Sequence, residues 1–196
     1  LSPMRLILGF AVPLLFGLLF QQLYSMVDTI IVGHYLGVDA LAAVGASYAL
    51  TTVFISIAIG GGVGASVITS RYFGARDYRR MMLSVRTALT VFLVTSIALG
   101  GVGLLLGRQI MIALNTPSDV LGDAVVYLKI YFLGLPFLFM YNILSAMFNA
   151  LGRSQIPLYL LIFSSLFNIL LDVFFVKELT MGLSGVAWAT LISQGI

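Results

Sequence analysis

VPLLFGLLFQQLYSMVDTIIVGHYLG, residues 12–37, is a run apolar enough to cross a bilayer, and it carries one carboxylate, Asp28, fifteen residues after a helix-breaking proline, Pro13. A charged side chain at that depth costs roughly 2.5–3.5 kcal/mol on insertion scales, so it must be paired, face a wet cavity, or hold a proton or metal ion. Working outward from Asp28, the chain reads as a transporter segment in which this acid binds a coupling cation.

Composition sets the class. Of 196 residues, 61% are hydrophobic and 9% charged, and the mean hydropathy is +1.12, which leaves too little polar surface to clothe a soluble globule. The apolar runs reach about 20 residues and lack the alternation of a barrel, so the spans are expected to be helices whose backbone bonds close internally. The absence of cysteine removes disulfides, thiolate metal sites and cysteine nucleophiles together. A single histidine and no acidic cluster argue against zinc. The net charge of +3 does not point to nucleic acid, because five of the ten basic residues crowd into one short loop region. Arg5 leads into a stretch too long, and too polar at Gln21, Gln22 and Asp28, for a cleaved signal peptide.

The pattern predicts an all-α membrane protein, a single transmembrane domain over residues 1–196, with helices at 4–33, 40–73, 79–106, 119–150, 156–176 and 184–196. The connections HYLGVD, FGARDY, LNTPS, GRSQIP and KELTMG are short, so sequential helices are expected to be antiparallel neighbours in one six-helix bundle. The sixth helix reads as truncated. Thirteen residues rise only about 20 Å, short of a hydrocarbon core about 30 Å thick, and the chain is expected to be part of a longer protein. Arg71, Arg76, Arg79, Arg80 and Arg86 around the second connection fall on the same side as Arg5 and Arg153, against Arg108 and Lys177 opposite. The positive-inside rule then places the N-terminus in the cytoplasm of a multi-pass protein of the cell membrane.

With that orientation Asp28, about six residues before its helix end, and Asp172, about five before Lys177, lie in the outer third of the membrane. Thr190 and Tyr127, on helices entering from outside, lie roughly 9–12 Å deep by helical rise. These groups extend into stripes. Gln21, Ser25 and Asp28 share a face of the first helix, and Ser164, Asn168 and Asp172 a face of the fifth. On the fourth, Tyr127, Tyr131, Asn142, Ser145 and Asn149 fall within about 60° of arc. One such stripe reads equally well as glue between helices. Several stripes with two carboxylates point to a shared water-accessible cavity. Lys129 lies about 200° from Tyr127 and is expected to snorkel outward. Pro13 and Pro136 read as kinks or hinges, and the Gly60–Gly64 run as close helix packing or a flexible segment, since no phosphate-binding lysine follows it. Two buried acids can take a proton, or accept Na+ with oxygen ligands from Asp28, Asn168, Asp172 and Thr190. The sequence does not choose between the ions.

The motifs carry a family likeness. P13-(x)14-D28 closing in VDTIIVGHYLG, ALAAVG at 41–46, GVGASVITSRYFGARDYRR at 62–80, LGLPFLFMYNILSAMFNALGRSQIP at 133–157, N168-xxx-D172 and GLSGVAWATLISQ at 182–194 stand in an order that resembles the N-terminal lobe of multidrug and toxic compound extrusion (MATE) transporters. The resemblance implies one lobe of a twelve-helix protein, with a missing C-terminal lobe as partner across a central cleft. It implies a cation site at Asp28, Asn168, Asp172, Thr190 and Tyr127 and a hinge at Pro13, with Gln21, Ser25, Tyr131, Asn142 and Ser164 lining the cavity. The implied activity is export of small organic, often cationic or aromatic, compounds against H+ or Na+, with no enzyme chemistry and no cofactor beyond the coupling ion. Alternating access needs both lobes, so this part alone is expected to be inactive. Three rivals remain. An intramembrane aspartyl protease needs its second acid in a GxGD motif, whereas Asp172 follows Ile169, Leu170 and Leu171. A lipid-linked-precursor flippase of the same superfamily is expected to use a cationic cavity, whereas these stripes carry acids. A non-transporting scaffold predicts that both acids are replaceable without effect.

Overall fold

The computed structural model describes residues 3–196, with the side chains of residues 3, 5–7 and 10 outside that description. Arg5, counted above on the inner flank, therefore contributes no described side chain. Six α-helices make up the described chain: α1 Pro3–Ile31, α2 Gly37–Gly74, α3 Tyr78–Ala113, α4 Ser118–Ala150, α5 Gln155–Val173 and α6 Leu183–Gly195. Four continuous helical runs are long and apolar enough to cross a membrane, the first of them the joined α1–α2 run.

The joins differ from the sequence reading. HYLGVD was expected as a loop between separate helices, but Val32–Leu36 form a π-turn that carries α1 directly into α2. The chain changes direction at Gly37, whose φ of +86° is open to a residue without Cβ. A second π-turn, Phe174–Glu178, prolongs α5, and a short non-helical segment follows before α6. α3 runs on to Ala113, seven residues past its expected end, because Arg108 and Gln109 point to the exposed side while Gly107 and Met111 pack inward, and the helix stops only at Leu114–Pro117. Its start is set by Asp77, whose carboxylate accepts the backbone N–H of Arg80 at 3.1 Å and lies 3.4 Å from that residue's guanidinium.

α4 is the axis of the bundle. It packs against α2 and α3 on one side and α6 on the other, while α1 packs on α5 and α5 on α6. Lipid tails are as apolar as leucine, so close van der Waals packing, not exclusion from water, holds these contacts. On α3 the means is a stripe of small residues. Gly100, Gly103 and Gly107 are buried against Phe132 of α4, whose ring meets the edge of Phe54 of α2 at 5.3 Å. A Cβ on Gly100 would sit 2.8 Å from the Phe132 carbonyl oxygen, so the absence of a side chain there sets how closely α3 and α4 approach. Tyr131 adds a polar tie, its hydroxyl donating to the Thr51 carbonyl on α2 at 3.4 Å. The Gly60–Gly64 run lies within α2, and Gly62 is packed against the α4 backbone at Asn142, which fits the packing role read from sequence.

Candidate functional site

Both acids are built into helix segments that end in the same device. Asp28 precedes the Val32–Leu36 π-turn by one helical turn, and Asp172 lies just ahead of the Phe174–Glu178 π-turn. The two π-turns touch, and the first also meets α6. Wider turns of this kind re-aim the side chains before them and are frequent at functional sites. Here they bring the ends of two helices, α1 and α5, to a common level.

At that level the carboxyl groups meet. Asp28 and Asp172 interact directly, carboxyl to carboxyl, and Tyr24 and Tyr127 lie within electrostatic range of both. Asp172 is wholly buried and Asn168, one turn earlier on α5, is 1% exposed. Neither oxygen of Asp172, neither the Oδ1 acceptor nor the Nδ2 donor of Asn168, nor Oδ1 of Asp28 has a hydrogen-bond partner in the protein. Acceptors gathered in this way are stable only when a proton or a cation lies between them, because each unmet buried polar group costs about 1–3 kcal/mol. The donor set around them is all oxygen and amide, the chemistry suited to a hard cation or a proton.

The other expected residues divide by position. Thr190 hydrogen-bonds the Val186 carbonyl of its own helix at 3.0 Å, and its side chain stands beside the Tyr24 phenol. Tyr127, Tyr131 and Thr190 line one shallow cleft between α4 and α6, with Gly134, Leu191 and Gln194. Ser164 faces α6 and donates to the Ser193 carbonyl, tying α5 to α6. Gln21 and Ser25 stand exposed on α1. Asn142 donates to the Leu138 carbonyl of its own helix at 2.8 Å. Asn149, the far end of the α4 stripe, is about 33 Å from Tyr127 by helical rise, so that stripe does not converge on one point. Pro13 sits inside an α1 that stays helical on both sides of it. Lys129 is exposed on the face of α4 turned to α3.

One member of the cluster was absent from the sequence reading: Tyr24. It sits one turn before Asp28, about 40° round the helix, against about 60° for Ser25 on the other flank. The i, i+4 spacing to Asp28 was the available signal.

The family model named MatE matches residues 13–174. The chain belongs to the MatE family. Two Bacillus subtilis (strain 168) proteins are MatE-type relatives. The probable multidrug resistance protein YoeA is 34% identical over 94% of this chain and 41% of its own length. The probable multidrug resistance protein YpnP is 31% identical over 95% of this chain and 42% of its own. Among solved structures, the outward-facing conformation of a multidrug resistance MATE family transporter of the MOP superfamily superposes with a TM-score of 0.93 at 26% identity, over 98% of this chain and 43% of that one. The chain thus spans a little over two fifths of the length of the MATE proteins it matches, and its fold is that of a single MATE lobe.

Proposed function

We propose that the intact protein containing this chain is a cation-coupled antiporter that exports small organic, often cationic, compounds, and that this lobe carries the coupling-ion site. The observation that carries the proposal is the buried carboxyl pair Asp28–Asp172 with the unpartnered Asn168 amide beside it. Either H+ or Na+ satisfies it. A proton bridges the two acids. Na+ takes oxygens from Asp28, Asp172, Asn168 and Thr190, with the Tyr127 and Tyr24 phenols at the rim. Entry of one charge down the membrane potential supplies about 2.3 kcal/mol per 100 mV, to which a concentration gradient adds. Rearrangement of α1 about Pro13 would transmit occupancy of the site towards the central cleft, where the second lobe completes the substrate path.

Efflux of a cationic dye from cells expressing the intact protein tests the assignment. Asp28→Asn and Asp172→Asn should each abolish ion-driven efflux while surface expression stays at the wild-type level. Efflux unimpaired in both variants would remove the coupling role. Replacing Na+ by choline at fixed pH then separates the ions: loss of efflux identifies Na+, and its persistence identifies H+.

A further inference from the structure

The face of α4 turned away from the carboxyl pair carries a second site. α3 packs only on α2 and α4 to any extent, so it forms one edge of the bundle. Near its C-terminal end, α3 and α4 part to leave a cleft of about 220 Å³ lined by Gly103, Leu105, Gly107, Arg108, Lys129 and Phe132 among others. Its chemistry is stratified. Arg108 and Lys129 are both exposed at its mouth, and among the described lining residues there is no carboxylate to neutralise them. Of its apolar lining, Leu105 is 77% exposed and Leu104 and Val125 are half-buried, while Leu128 and Phe132 are buried. Gly103 and Gly107 are covered by the Phe132 ring, and the accessible apolar side chain of the cleft is Leu105. This level is about 45 Å along α3 from Tyr78 and the arginine-rich connection, so the two cations are separate from that cluster.

We infer that this cleft binds one anionic phospholipid, its phosphate between Arg108 and Lys129 and the start of an acyl chain along the exposed Leu105. Charge complementarity selects the anionic headgroup. The exposed Leu105 beside the cations favours a lipid over a free anion, which would leave it unused. The guanidinium offers paired donors to the phosphate, and the lysine adds a point charge on a stem that lies along apolar surface. The site is independent of the carboxyl pair and does not rest on the transport proposal.

Native mass spectrometry of the intact protein in detergent, titrated with phosphatidylglycerol, tests it. Wild type should retain one phosphatidylglycerol in preference to phosphatidylcholine. The double variant Arg108→Gln/Lys129→Gln should weaken phosphatidylglycerol binding about tenfold or more, from roughly 1 kcal/mol per basic residue near an anionic lipid, and leave phosphatidylcholine unchanged. The control Arg79→Gln/Arg80→Gln removes the same charge at the opposite end and should keep the wild-type affinity. Both pairs are exposed, and thermal unfolding in the same detergent checks that they fold alike. Three results would overturn the inference: equal phosphatidylglycerol binding by wild type and the Arg108/Lys129 variant, an equal loss in the Arg79/Arg80 control, or displacement of the lipid by inorganic phosphate at the same concentration.

Discussion

At the scale of single residues, the site depends on which face of α1 turns inward. Polarity picked out Gln21 and Ser25 alongside Asp28, but both are exposed in the described chain, and the residue that joins Asp28 against Asp172 and Thr190 is Tyr24. A tyrosine within an apolar run reads as part of the hydrophobic surface, and its phenol matters only once a second helix brings an acid to it. If Tyr24 orders the ion site by placing its hydroxyl beside Thr190, then Tyr24→Phe should preserve folding and maximal efflux. It should raise the coupling-ion concentration for half-maximal rate about three- to tenfold, the worth of one ordinary hydrogen bond. Efflux titrated against Na+ or pH measures this, and an unchanged midpoint would place Tyr24 outside the ion's surroundings. Asp28, Asn168, Asp172, Thr190 and Tyr127 were nameable from spacing and depth, because a charge in a membrane helix is costly enough to stand out. The sequence put both acids at one depth facing a shared cavity; their direct interaction depends on tertiary packing.

At the scale of elements, the α3–α4 contact shows how small residues substitute for hydrophobic drive in lipid. A methyl group on Gly100 would press on the Phe132 carbonyl, part of a helix backbone that cannot turn aside. One on Gly103 would meet the Phe132 ring at 2.6 Å, and that ring is held on its other flank by Phe54. Gly101 faces open space, with nothing within 4 Å of its would-be Cβ. Gly100→Ala and Gly103→Ala should therefore each destabilise the bundle by about 1–3 kcal/mol through overpacking. Gly101→Ala should be neutral or slightly stabilising through its better helix propensity. Thermal unfolding of the intact protein in one detergent compares the three, and a Gly101 variant as unstable as the other two would mean that helix flexibility, not packing, is what the glycines supply. Six helices were readable from hydropathy alone. The continuous join of α1 to α2 was not, since a π-turn is a hydrogen-bond shift that leaves no compositional mark, and HYLGVD contains the glycine and polar residues of any loop.

At the scale of the whole molecule, orientation decides whether the carboxyl pair lies nearer the outer or the inner face. The Tyr78 end of α3 adjoins Arg71, Arg76, Arg79 and Arg80, while its Ala113 end is followed by Asn115, Thr116, Pro117 and Ser118 with the two basic residues Arg108 and Lys129 nearby. Positive charge is retained on the cytoplasmic side during insertion. The π-turns, and with them Asp28 and Asp172, are at the end away from the arginines, because α1 and α5 run towards it. The chain contains no cysteine, so a single introduced thiol reports its own location. Ala75 and Ser118 are both exposed, one on each connection of α3. In an otherwise cysteine-free intact protein, Ser118→Cys should react with a membrane-impermeant maleimide added to whole cells. Ala75→Cys should react only after permeabilisation. The reverse pattern would put the carboxyl pair near the cytoplasmic face, where an ion entering from outside would reach it only by crossing most of the bilayer. The coupling scheme would then have to run in the opposite sense, with the acids loading from within.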